Sequence, residues 1–219
     1  MKKHLSLLIV FLALVCNVNA QVMEWYTYWG SNVAGNQIQP VRMVVDNAGD
    51  IYIAALFGGN SVQILDQTFP SQSGTDLGDA TILKMTPDKE IVWSRKLVNS
   101  GEAAISDMII DNEGNLVVAG TFKGMLQADE NDSMAMEDPS GYAALSIFVI
   151  RYDSNGNVLK MWQLPAEEAT VESVTADGSG NIIISGTFGS EMSFDPANLN
   201  GFVGNTQYWN QMYVAKYSK

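Results

Sequence analysis

Asp66, Asp129 and Asp195 stand at comparable places in three long loops, at about residues 58 to 79, 123 to 146 and 189 to 211, and each loop also carries large aromatic residues. Phe69 lies in the first, Tyr142 in the second, and Phe202, Tyr208 and Trp209 in the third. Rings offer flat apolar faces and carboxylates accept hydrogen bonds. Asp66, Asp129, Asp195, Tyr142, Tyr208 and Trp209 therefore form a candidate set for a carbohydrate or protein ligand. The competing expectation is that the rings pack the loops onto the body of the protein, since exposed aromatic patches are uncommon on soluble monomers. Paired carboxylates are also the tools of a glycan-active hydrolase or lyase. An enzyme, however, concentrates its acids at one unrepeated site, whereas these recur once per loop, so no catalytic residue is assigned.

The second loop is the most acidic, with Asp129, Glu130 and Asp132 followed by Glu137 and Asp138. Calcium is the cation such an oxygen-rich loop would hold. The EF-hand order fails here: Met134 stands where the turn glycine belongs, and Ser140 where a bidentate acid is needed. A solvated acidic loop is expected, and no metal ligand or cofactor is assigned.

Other chemistry is narrowed by the amino terminus. Lys2, Lys3 and His4 precede an apolar run from Leu5 to Cys16, and Val18-Asn19-Ala20 has the small-residue spacing of a signal-peptidase site. The run is too short to span a membrane. Residues 1–20 are read as a removable export signal, which places the mature chain at the cell surface, in the periplasm or outside the cell. A lipid anchor on Cys16 is disfavoured because the larger Val15 precedes it. Cleavage removes the only cysteine and the only histidine. Thiolate nucleophiles, histidine bases and Cys/His zinc sites are then excluded. The chain carries 24 acids against 12 bases, a formal charge of −12, which becomes −14 once Lys2 and Lys3 are gone. Such a surface repels phosphate backbones and anionic membranes, so no nucleic-acid partner is expected.

The elements that must carry the loops are written three times. Asp46-Asn47-Ala48-Gly49-Asp50, Asp111-Asn112-Glu113-Gly114-Asn115 and Asp177-Gly178-Ser179-Gly180-Asn181 each follow an apolar run and lead into a β-branched one ending in phenylalanine. Their aspartates are 65 and 66 residues apart (111 − 46 and 177 − 111). Each copy predicts a hairpin, with glycine at the positive-φ position and aspartate bonding the turn's own amides. A third apolar run follows each loop, at Ala80 to Met85, Ile147 to Tyr152 and Met212 to Tyr217. Outer strands are predicted around Trp25 (Met23 to Trp29), Trp93 (Ile91 to Leu97) and Trp162 (Val158 to Leu164), with the tryptophans on the seams between units. The repeats run over about 39–97, 104–164 and 170–219. Four short antiparallel strands in roughly 65 residues predict an all-β chain of propeller-like blades.

These residues resemble a known family. Asp-x-x-Gly-Asn, then an apolar strand, Gly186-Thr187-Phe188, Phe194-Asp195-Pro196 and Tyr213-Val214-Ala215-Lys216-Tyr217 are similar to the seven-bladed β-propeller (SBBP-type) repeats of secreted bacterial proteins. The resemblance covers about residues 39–219. It implies a surface or secreted β-propeller and assigns no activity. The count departs from the family: twelve predicted strands amount to three blades, fewer than the four or more that normally close a ring. A truncated product, an open arc and a ring completed by further copies all remain open. An open arc would leave blade edges able to self-associate. The leading expectation is a non-enzymatic binding or scaffold module of the cell envelope or exterior, and the alternative is the glycan-active enzyme.

Overall fold

A computed structural model describes residues 23, 26, 37–64, 67–99, 103–129, 131–135, 145–166, 168–198, 202–204 and 211–219. Among these every regular element is a strand, and the strands form three antiparallel sheets. The first unit contains β1 (Gln37–Val45), β2 (Ile51–Ile64), β3 (Gln67–Met85) and β4 (Ile91–Asn99), hydrogen-bonded in that order. The second contains β5 (Ala103–Ile110), β6 (Leu116–Phe122), the short pair β7 (Met125–Gln127) and β8 (Ser133–Ala135), then β9 (Leu145–Tyr152) and β10 (Val158–Ala166). The third contains β11 (Ser173–Ala176), β12 (Ile182–Phe188), the short pair β13 (Glu191–Ser193) and β14 (Phe202–Gly204), and β15 (Gln211–Tyr217).

The tight turns follow from local chemistry. In the turns that open with Asp46, Asp111, Asp153 and Asp177 the aspartate's Oδ1 accepts two backbone amides of its own turn: Ala48 and Asp50 for Asp46, Glu113 and Asn115 for Asp111, Asn155 and Asn157 for Asp153, and Ser179 and Asn181 for Asp177, all at 2.8–3.0 Å. Gly114 and Gly156 both sit at φ +80°, where an L side chain is strained. A cation from the third strand of each unit then reaches back to its turn. Lys84 meets Asp50 at 2.9 Å, the Arg151 Nε donates to Asp111 at 2.7 Å, and Lys216 meets Asp177 at 2.6 Å.

The sheets stack in chain order as an open arc of propeller-like blades, with one apolar core in each seam. Tyr52, Ile82, Trp93 and Leu97 of the first sheet pack with Met108, Val118, Phe148 and Tyr152 of the second. Val117, Val149, Trp162 and Leu164 of the second pack with Val174, Ile184 and Tyr213 of the third. Near the inner strands, Asp107 joins all three sheets. One carboxylate oxygen accepts from Arg42 Nε at 3.0 Å and the other from the amide of Val174 at 2.9 Å.

The loops depart from expectation. The first carries β2 and β3 onward as a hairpin, with Ile64 paired to Gln67. The other two fold into β7–β8 and β13–β14, each latched onto the fourth strand of the preceding unit: Val98 pairs with Gln127, and Ala166 with Met192. The fifteen strands among the described residues thus exceed the predicted twelve. Fourth strands present unpaired backbone groups along one edge, and a neighbouring extended segment satisfies part of that edge. Trp93 and Trp162 are buried in the seams as expected. Of the predicted strand at Met23 to Trp29 only Met23 and Tyr26 are described, and neither is in a strand; Trp25 and residues 1–20 lie outside the described residues. No helix among the described residues is long and apolar enough to cross a membrane.

Candidate functional site

A concavity lies where the β7–β8 hairpin runs alongside β4. One wall is Ser94, Arg95 and Lys96 of β4, the other is Gln127, Ala128, Asp129 and Asn131 of the hairpin, and Asn157 closes one end. Its volume is about 630 Å³ and its lining is mostly polar. Three local structures hold it open. The hairpin pairs with β4 at Val98 and Asn99, and the two walls part from there towards Ser94, whose carbonyl accepts Arg95 Nη1 at 2.9 Å. Asp129 ties the hairpin's tip, its Oδ1 accepting the amides of Asn131 at 2.7 Å and Asp132 at 2.8 Å. The Asp153–Asn157 turn then locks the base: Trp93 Nε1 and Lys84 Nζ donate to the Ser154 carbonyl at 3.0 and 3.2 Å, and Arg95 Nε donates to that of Gly156 at 2.8 Å.

The electrostatics are mixed. The Arg95 guanidinium lies 5.6 Å from the Trp93 ring, and Lys96 Nζ lies 5.8 Å from that of Phe57. Burial pushes the Asp129 carboxyl up, but the two tip amides and the Arg95 charge outweigh it and hold the group below its ordinary value. Asp132 moves the other way, raised by burial and by the charge of Asp129. The cleft is therefore lined by two cations, one carboxylate held below its ordinary value and several amide and hydroxyl groups. That arrangement suits an extended polar ligand.

Of the candidate set, Asp129 lines this cleft. Asp195 is at another seam, just after β13, where its Oδ1 accepts the Ala197 amide at 2.9 Å and its carbonyl that of Asn198. The structure does not gather these two acids in one turn: Asp129 caps a hairpin over the first seam and Asp195 a turn over the second. Asp66, Tyr142, Tyr208 and Trp209 lie outside the described residues, and Phe69 and Phe202 are placed only as strand backbone. The acidic loop is described at Asp129, Asp132 and Ser133 but not at Glu130, Glu137 or Asp138. Ser94, Arg95, Lys96, Gln127, Asn131 and Asn157 were missed. One signal was available, because Arg95-Lys96 is the only adjacent pair of cations after Lys2-Lys3.

Comparison with known proteins shows similarity to a WD repeat-containing protein of Acanthamoeba polyphaga mimivirus, 24% identical over 201 residues, covering 80% of this chain and 13% of that protein. The chain thus spans a small fraction of the relative's length. No family model matches the chain. WD repeats build four-stranded propeller blades, so the likeness agrees with the stacked antiparallel sheets and supports a propeller-type repeat.

Proposed function

We propose that the chain is an exported, non-enzymatic binding module built from SBBP-type blades, and that it takes an extended segment of a protein partner in the cleft between β4 and the β7–β8 hairpin. The observation that carries this reading is the polar cleft of about 630 Å³ with Ser94–Lys96 on one wall and the hairpin on the other. A peptide laid there would lie between β4 and the hairpin, with Gln127, Asn131 and Asn157 offering hydrogen bonds and the charges of Arg95 and Lys96 favouring acidic side chains. The likeness to a WD repeat protein supports a scaffold role, and residues 1–20 support export.

The test is an array of immobilised peptides, varied in charge, probed with the chain and with two variants, Lys96→Glu and Gln127→Trp. Acidic peptides should bind the parent chain, lose most binding to Lys96→Glu and lose it again when Gln127→Trp fills the cleft. Binding indifferent to both changes would remove the cleft from consideration. Turnover of a polysaccharide that disappears in Asp129→Asn would instead favour the glycan-active alternative.

A further inference from the structure

Asn131-Asp132-Ser133 is the only stretch of the sequence in which an asparagine has a serine or threonine two positions on. No proline stands between them. That spacing lets the hydroxyl reach back to the carboxamide, and on an accessible loop of an exported protein it marks an acceptor for N-linked sugars. The chemistry needs a bent, exposed backbone, because a side chain inside a paired strand cannot be wrapped by a modifying enzyme.

The structure supplies such a bend. Asn131 stands at the tip of the β7–β8 hairpin, beyond the last ladder pair of Gln127 with Ser133. The tip is closed by the amide of Ala128, which donates to the Asp132 carbonyl at 2.8 Å. Asp129 Oδ1 accepts the amides of Asn131 and Asp132 at 2.7 and 2.8 Å, which fixes the backbone on both sides of the Asn131 side chain. Asn131 and Ser133 are both exposed. Other asparagines are differently held. Asn115, Asn157 and Asn181 each donate Nδ2 to the aspartate that opens their turn, at 3.3, 2.9 and 2.8 Å, and Asn112 donates to the Asp177 carbonyl at 2.8 Å. Among the described residues no hydrogen bond holds the Asn131 carboxamide. Asn47, Asn155 and Asn198 also lie at turns, but Gly49, Asn157 and Asn200 stand two positions on, where no hydroxyl is available.

We propose that Asn131, positioned by Ser133, is the acceptor of an N-linked glycan, delivered from a lipid-linked sugar pyrophosphate by a transferase outside the cytoplasm. The proposal rests on the reading of residues 1–20 as an export signal, which brings the chain to that donor. In the step, Asn131 Nδ2 attacks the anomeric carbon of the donor sugar. A carbon–nitrogen bond forms, the anomeric carbon–oxygen bond breaks, the pyrophosphate oxygen leaves with the electron pair, and a proton of Nδ2 passes to a base of the transferase. A carboxamide nitrogen is a weak nucleophile because its lone pair is shared with the carbonyl, and the Ser133 hydroxyl serves by orienting the group. Asn131 also lines the cleft, so the glycan would stand at its rim.

Mass spectrometry of the full chain recovered from the cells that naturally produce it tests this. The peptide that contains Asn131 should carry a glycan, in material that begins at Gln21. Asn131→Gln and Ser133→Ala, made in the same cells and checked for an unaltered melting profile, should each lose the glycan, whereas Ser133→Thr should keep it. A bare Asn131 in chain beginning at Gln21 overturns the proposal and leaves the export reading standing. A bare Asn131 in chain that still carries residues 1–20 overturns both. A glycan that survives Asn131→Gln is attached elsewhere and overturns the assignment, as does one that survives Ser133→Ala.

Discussion

Arg151 and Lys216 occupy the same place in successive repeats, each reaching from the third strand to the aspartate that opens the unit's first turn, yet they do different physical work. Arg151 is sealed: its side chain is 9% exposed and that of Asp111 is 0%. The third sheet covers the pair, and Lys219 reaches across at 2.6 Å to Glu113, which Arg151 also holds at 3.0 Å. Lys216 is 56% exposed and its partner Asp177 is 24% exposed. Lys84, in the first unit, resembles Arg151, with its chain buried against Asp46 and Asp50 and its ammonium 5.0 Å from the Tyr52 ring. One local motif thus becomes either a buried commitment or a surface contact according to whether a further sheet lies over it. Exposed pairs contribute little because water screens them, whereas removing half of a buried pair strands an uncompensated charge.

Replacing the cation in each pair gives the sharpest form of that contrast. Arg151→Met should destabilise by about 3 kcal/mol, because Asp111 stays buried with only its turn amides to satisfy it. Lys216→Met should leave the melting temperature nearly unchanged. Paired denaturant titrations check this, and equal losses at the two positions would break the comparison.

Two turn glycines separate backbone strain from covering in the same way. Gly114 and Gly156 share φ +80°, but a Cβ at Gly114 would meet nothing within 4 Å, whereas one at Gly156 would lie 2.8 Å from the Trp93 ring. Gly114→Ala should cost about 1 kcal/mol from left-handed strain alone. Gly156→Ala should cost about 2–3 kcal/mol, since Trp93 must also give way in a packed seam. Trp93 emission should shift in the second variant only.

The smallest effect is on the acid limb of stability. Burial raises the Asp111 carboxyl, but the Asn115 and Glu113 amides and then Arg151 outweigh it and leave it below its ordinary 3.8. Asp177 is held lower still, first by Lys216 and then by Asn181. A carboxyl whose folded value is depressed contributes stability that is present above its unfolded value and is lost as pH falls through the folded one. The parent chain should therefore lose stability progressively below about pH 4. Arg151→Met should show a shallower acid limb, measured as melting temperature against pH, because Asp111 would then titrate closer to its unfolded value.

Much of the fold was legible because its determinants are short-range. An aspartate two and four residues before the amides it accepts, with a glycine at the left-handed position, specifies a turn whatever lies elsewhere, and β-branched runs on either side specify its strands. The cleft was less legible. Asp129 was picked out from its place in the repeat, but Ser94, Arg95 and Lys96 looked like ordinary outer-strand residues until the hairpin of the next unit was laid beside them.

Sequence alone determined the turns, the strand order within each unit and the three-fold repetition, since each depends on side chains within a few positions of one another. The tertiary structure decided which copy of a repeated residue is buried, where the long loops would latch and which residues line the cleft. Those outcomes depend on what stacks against each sheet. Met43 and Met108 are the same residue at the same repeat position, and only the presence of a preceding sheet puts one in water and the other in the core.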